Sequence, residues 1–161
     1  MNRYRTGLAV DKDAINPLQS PAFLLRRVGH WLHLRANETL EAGGISNTAE
    51  EVSILGVINS LNTPERMGVL ADLLGREIST LTRQLDGLVK DGLVQRRTCP
   101  DDGRAVVIAL TGKGRQLVKK ATPMMLTLRK RTMSGISKGN AEVLTGSLAK
   151  MLENLQHDDK S

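Results

Sequence analysis

ERMGVLADLLGREISTLTRQLDGLVKDGLVQRRTCPDDGRAVVIAL, residues 65–110, holds the pattern that decides the fold. Met67, Leu70, Ala71 and Leu74 recur at i, i+3, i+4 and i+7 before Gly75, which predicts a short helix with a glycine stop. Ile78, Leu81, Leu85 and Leu88 then form a second apolar stripe that ends at Gly92, almost without an intervening loop. Two short helices joined this tightly cross steeply only where the facing residue is small, and Ala71, Gly75 and Leu81 stand at the spacing of a helix-turn-helix. Beyond it Val106, Ile108 and Leu110 alternate as in a strand with one buried face, and Val94 opens the partner strand. The pair predicts a β-ribbon beside the helix-turn-helix, a wing, with Gly103 permitting its tight turn.

Upstream, residues 1–19 read as a flexible polar arm, and from Pro21 to Ala42 the helical period places Leu25, Val28, Leu32 and Ala36 on one face before Gly43-Gly44. Thr48 and Glu51 fit a capping box, in which hydroxyl and carboxylate satisfy free backbone N–H groups, and Val52, Leu55 and Ile58 follow as a buried stripe. Thr63-Pro64 is the expected cap and first residue of the third helix. Downstream, Thr111 caps a fifth helix, bent or interrupted near Pro123. A sixth, Ser137 to Leu155, carries Leu144, Leu148, Met151 and Leu155 on a narrow stripe. The fold class is therefore mainly α with a small β-ribbon, a winged helix-turn-helix with helices before and after it.

The chain has 161 residues, enough for one ordinary domain with a substantial core, and a formal charge of +6, which suits a polyanionic partner. The excess is local. Between Thr111 and Gly135 stand seven basic residues and no acidic one, a run that reads as a solvated helix face more readily than as a phosphate-binding one. Cys99 is the single cysteine, so no intramolecular disulfide forms, and a reducing cytoplasm fits. Neither a signal peptide nor an apolar stretch long enough for a membrane span is apparent. One Trp, one Tyr and one Phe argue against recognition of single strands on stacking platforms.

On the second helix of the motif, Ser79, Thr80, Thr82 and Arg83 lie away from the apolar stripe near the N-terminal end. Small hydroxyl residues let a helix lie deep in a major groove, and an arginine makes paired bonds to guanine O6 and N7. Charge alone is a weak argument here, because Arg76 to Arg104 holds six basic and five acidic residues. The segment LADLLGREISTLTRQLDGLVKDGLVQRRTCPDDGRAVVIALTGKG resembles the multiple-antibiotic-resistance regulator (MarR) family of winged-helix transcription factors, in particular its SlyA-like subgroup. The resemblance rests on the helix-turn-helix, on a wing carrying Asp102 and Arg104, and on Leu110, Thr111 and Gly114 leading into the next helix.

The resemblance implies one MarR-type domain over 20–161, with the winged helix-turn-helix at about 48–110 and dimerisation helices at about 21–42 and 112–157. It implies a homodimer joined in part by Leu144, Leu148, Met151 and Leu155, bound to a pseudo-palindromic operator on double-stranded DNA. Ser79, Thr80, Thr82 and Arg83 would contact the major groove and Arg104 the minor groove, with Asp102 orienting the Arg104 guanidinium. Two residues depart from the family pattern, Gly87 in place of a long basic residue and Gln84 in place of an apolar one.

The family also implies release from DNA by a small aromatic, phenolic or carboxylated effector, most simply as a repressor. Arg26, His30, Trp31, His33 and Asn37 on the first helix form the candidate effector face, although a solvated face explains them too. Met124 and Met125 read as core. His30 and His33 stand at helical spacing, but no third and fourth ligands follow, so no metal and no cofactor are expected. Cys99 in the wing reads as passive. No nucleotide loop, nucleophile motif or metal cluster points to an enzyme. The alternatives are a winged helix that binds proteins and a DNA-binding protein without a ligand.

Overall fold

The computed structural model describes residues 18, 20–61, 63–99 and 102–158. Apart from Leu18 and Ser20, the expected N-terminal arm and its junction lie outside them or at their edge. In chain order the elements are α1 (Pro21–Ala42), α2 (Ala49–Ser60), β1 (Glu65–Arg66), α3 (Met67–Leu74), α4 (Ile78–Lys90), β2 (Val94–Cys99), β3 (Asp102–Leu110), α5 (Gly112–Thr132) and α6 (Lys138–Asp158). The strands form one antiparallel sheet in the order β1-β3-β2.

Capping chemistry sets the boundaries as expected at two helices. Thr48 Oγ1 accepts from Glu51 N at 3.2 Å while Glu51 Oε2 accepts from Thr48 N at 2.9 Å, a complete capping box on α2. Thr111 Oγ1 accepts from Gly114 N at 3.0 Å at the start of α5. The helix-turn-helix bends at Gly75, whose φ of 59° is a left-handed conformation that glycine adopts without Cβ strain.

One cluster joins Ile54, Leu55 and Ile58 of α2, Leu70 and Ala71 of α3, Leu81, Leu85 and Leu88 of α4, and Ile108 and Leu110 of β3. Each fully buried leucine in it contributes about 2–3 kcal/mol of transfer free energy. A smaller cluster of Leu40, Ile45, Val52 and Ala121 fastens α1 and α5 to α2. Neither cluster includes a residue of α6.

Several expectations are corrected. Thr63-Pro64 does not start the third helix: Glu65 and Arg66 pair with Ile108 and Val107 as a short third strand, and α3 begins at Met67. Ile78 is 55% exposed, because it is the first residue of α4 and projects past the core. Burial on β3 is continuous from Val107 to Leu110, while Val106 is 51% exposed, since β3 is central and flanked on both edges where it crosses the core. Pro123 lies inside an uninterrupted α5. Gly103 is a strand residue of β3 and is not among the positive-φ glycines of the described residues. The basic run on α5 is only partly a solvated face, because Lys113, Arg115 and Lys120 donate to the carbonyls of Asp91, Leu110 and Gly44 at 2.8, 3.0 and 3.0 Å.

The junction between wing and α5 has no spare room. Thr111 Oγ1 donates to the Gly92 carbonyl at 2.7 Å, Thr111 N donates to the Leu93 carbonyl at 3.1 Å, and a Cβ on Gly114 would lie 2.1 Å from that same Leu93 oxygen. Gly112, two residues earlier, has open space around it. Gly114→Ala should therefore lose about 1–3 kcal/mol in urea denaturation, the usual cost of overpacking, whereas Gly112→Ala should be neutral or mildly stabilising. Equal midpoints for Gly114→Ala and the parent would show that the contact relaxes freely.

Candidate nucleic-acid interface

α4 divides cleanly into a buried and a free side. Leu81, Leu85 and Leu88 are buried, Ser79 and Arg83 are exposed, and Thr80 and Thr82 are half-buried, so these four polar residues share the N-terminal part of the helix as predicted. The Thr82 hydroxyl donates to the Ile78 carbonyl at 2.7 Å, which leaves its lone pairs available to an incoming donor. Ile78, overlooked because its spacing matches the core stripe, adds an exposed apolar side chain at the same end.

The wing is tied to the helix-turn-helix by two ion pairs. Arg96 Nη2 of β2 lies 2.5 Å from Asp86 Oδ1 of α4, and Arg66 Nη2, just before α3, lies 3.2 Å from Asp102 Oδ2 of β3. The other Asp102 oxygen, Oδ1, accepts from the Arg104 backbone N–H at 3.1 Å. Asp102 thus fixes the Arg104 main chain and the Arg66 guanidinium, which corrects the expectation that it orients the Arg104 guanidinium. These are exposed pairs, each worth at most about 1 kcal/mol to stability, but they define where the wing stands. The Arg66 partnership crosses 36 residues and has no signal in local spacing.

A third polar group was not anticipated. Arg76 Nη1 lies 2.6 Å from Glu50 Oε1 of α2 and donates to Gln84 Oε1 of α4 at 2.6 Å. Bonding to the Arg76 guanidinium, with smaller contributions from Gln84 and His33, holds the Glu50 carboxyl below the usual carboxylate range against the opposing effect of partial burial. A depressed carboxylate stabilises the fold above its unfolded pKa, and that contribution fades as pH falls through the depressed value. Gln84, the departure from the family pattern, is thus a bonding partner. Gly87 has open space around it.

The candidate effector residues are spread along one exposed stretch of α1. Arg26, His30, Trp31 and His33 are exposed, and Asn37 is half-buried. His30 and Trp31 meet edge to face at 5.9 Å, and Arg35 covers the Trp31 ring at 5.7 Å. Asn37 has a bonding role of its own: it contacts His33 Nε2 at 3.1 Å and accepts from Ala49 N at 2.7 Å, holding α1 to the first turn of α2. None of the five lines the groove of about 480 Å³ between α1, α2 and α5. That groove is walled by Val52, Val57, Val118, Ala121 and Met125, with Arg129 at its rim. Met125 therefore serves the groove as well as packing on the smaller core.

Of the predicted dimer residues, Leu144 and Leu155 are 42% and 67% exposed, while Leu148 and Met151 are half-buried. Leu144 and Leu148 share a second groove, about 730 Å³, with Leu32 of α1 and Leu128 of α5. Among the described residues no group of three or more His, Cys, Asp or Glu is placed to hold a metal ion, and no helix is long and apolar enough to cross a membrane. Cys99 is a half-buried free thiol at the end of β2.

Residues 48–106 match the family model described as MarR family. The fold is similar to that of S. aureus MepR in complex with DNA, at 26% identity and a TM-score of 0.75 over 84% of this chain and 96% of that one. It is also similar to CouR from Rhodococcus jostii RHA1 bound to p-coumaroyl-CoA, at 25% identity and a TM-score of 0.77 over 86% and 95% of the two chains. The M. tuberculosis transcriptional regulator MOSR in complex with DNA matches at 27% identity and a TM-score of 0.69 over 85% and 98%. The chain has the MarR-family winged-helix fold, and its helix-turn-helix and wing match that family in sequence as well.

Proposed function

We propose that the protein is a homodimeric transcriptional regulator that binds a pseudo-palindromic operator and represses transcription by occupying it. One observation carries the reading. Arg66, Arg76 and Arg96 each face a carboxylate, whereas Arg83 on α4 and Arg97 and Arg104 on the wing are exposed and have no ion pair among the described residues. Guanidinium groups without an ion pair on both the candidate reading helix and the adjoining wing suit a duplex, with Arg83 in the major groove and Arg104 at the minor groove. Ser79, Thr80 and Thr82 complete the helix contact. The DNA complexes of MepR and MOSR support this use of the shared fold. Such a regulator works in the cytoplasm. The composition of the wing supports a place in the SlyA-like subgroup.

In fluorescence-anisotropy titrations with a duplex selected from a random pool, Arg104→Ala should weaken binding by about 1–3 kcal/mol and reduce the salt slope by about one. Arg83→Ala should also erode the preference for the selected duplex over random DNA. Asp102→Ala should weaken binding although it removes a negative charge, because it releases Arg66 and the Arg104 backbone together. Tighter binding by Asp102→Ala would mean that charge repulsion outweighs wing placement. Absence of any salt-dependent duplex affinity in the parent protein would favour a protein-binding winged helix.

The dimer reading rests on apolar surface that this chain leaves open. Val28 and Trp31 of α1 and Val143, Leu152 and Leu155 of α6 are all at least half exposed, a pattern that a second copy of the same helices would cover. Leu148→Glu, placing a charge in that seam, should give monomer or aggregate in light scattering. A stable dimer would remove Leu148 from the interface.

The effector reading rests on the groove between α1, α2 and α5. Its volume of about 480 Å³ and apolar walls suit a small ligand, and Arg129 offers a carboxylate a bidentate partner. The ligand-bound state of CouR supports a ligand-responsive role. Salicylate-like aromatic acids should raise the melting temperature and release DNA, with both effects reduced in Arg129→Met. If His30→Ala and His33→Ala abolish the shift while Arg129→Met does not, the ligand sits on the α1 face instead. No shift with a broad panel of such acids would favour a ligand-independent DNA-binding protein.

A further inference from the structure

We propose that Arg76 is a positioning residue that sets the angle of α4 against α2, acting on the DNA-contacting turn through Gln84; this rests on the reading of α4 as the helix that meets DNA. Three helices converge on this one residue. Its backbone N–H donates to the Ala71 carbonyl at 2.9 Å and closes α3. Its Nη1 reaches Glu50 of α2 and Gln84 of α4, each at 2.6 Å. The Arg76 side chain is only 20% exposed, so these bonds are better shielded than those of the wing pairs.

The apolar contacts between α3 and α4 cannot do the same work. Ala71, Leu81 and Leu85 are non-directional partners, and packing of side-chain ridges into grooves leaves about 15–20° of scatter in a crossing angle. Directional bonds from one guanidinium narrow that range. Gln84 is one helical turn from Thr80 and adjacent to Arg83, so a shift at Gln84 is passed directly to the residues proposed to touch bases. On the α2 side, Asn37 caps Ala49 and fixes the turn that carries Glu50, so the clamp has a firm base on α1.

Three variants test the role. Gln84→Met keeps the size of the side chain and leaves the Glu50–Arg76 pair in place, so the fold should be retained with a loss of melting temperature smaller than that of Arg76→Glu. It should nonetheless lose about tenfold of the preference for the selected duplex over a scrambled one, with affinity for the scrambled duplex unaltered. Arg76→Glu alone should lose that preference and some stability. The exchange of Glu50→Arg with Arg76→Glu should restore both, because the Gln84 amide can donate where it formerly accepted. Unchanged preference in Gln84→Met, or an exchange variant that folds and still fails to discriminate, would overturn the proposal while leaving DNA binding intact. A parent protein that enriches no sequence from a random pool would remove the DNA-binding reading, and this proposal with it.

Discussion

The approach of α5 to the Leu93 carbonyl is the contact on which the architecture turns. With a Cβ on Gly114 only 2.1 Å from that oxygen, the first turn of α5 can lie where it does only because position 114 is glycine. Thr111 then joins three segments, accepting from Gly114, donating its hydroxyl proton to the Gly92 carbonyl and its backbone N–H to Leu93. Gly92 in turn adopts a φ of 70°, which sends the chain from α4 into β2. The end of α4, the wing and the start of the long helix that leads away from it are thus positioned by one set of backbone contacts.

From that junction α5 acts as a spine. Three of its cations hold backbone carbonyls, at Asp91 after α4, Leu110 at the end of β3 and Gly44 after α1. A carbonyl outside the helix and sheet ladders needs a partner, and a long flexible cation can supply the bond while keeping its stem on apolar surface. Charge on α5 therefore has a structural use in its N-terminal half. In its C-terminal half, Arg129 lies at the rim of the groove shared with α2.

The sequence was informative at several positions where one residue type has one physical use. Capping hydroxyls at Thr48 and Thr111, the helix-ending glycine at Gly75 and the leucines of α4 were each placed correctly from local spacing. Periodicity failed where an element ended or gained a neighbour. Ile78 obeys the period of α4 yet lies beyond the core, and Val107 becomes buried because β1 and β2 both adjoin β3. A two-residue strand such as Glu65–Arg66 has no period at all. Pro123 was expected to bend or interrupt α5, and the helix is not interrupted there. Long-range polar partners were the least legible. Asp102 could be matched with Arg104 by proximity in sequence, whereas its observed guanidinium partner is Arg66.

The same limit explains why Gln84 looked anomalous. Judged along α4, a polar residue near a leucine stripe weakens the helix's packing. Judged in three dimensions, its amide oxygen faces the shielded Arg76 guanidinium, which would otherwise have only Glu50 to balance its desolvation. Glu50 stands between Ala49 and Ser53, and both of those line the groove that α2 shares with α5. The first turns of α2 therefore present one face to the groove and another to the clamp on α4. Apolar packing gives the domain its stability, while these few directional bonds join the groove-lining turn of α2 to α4.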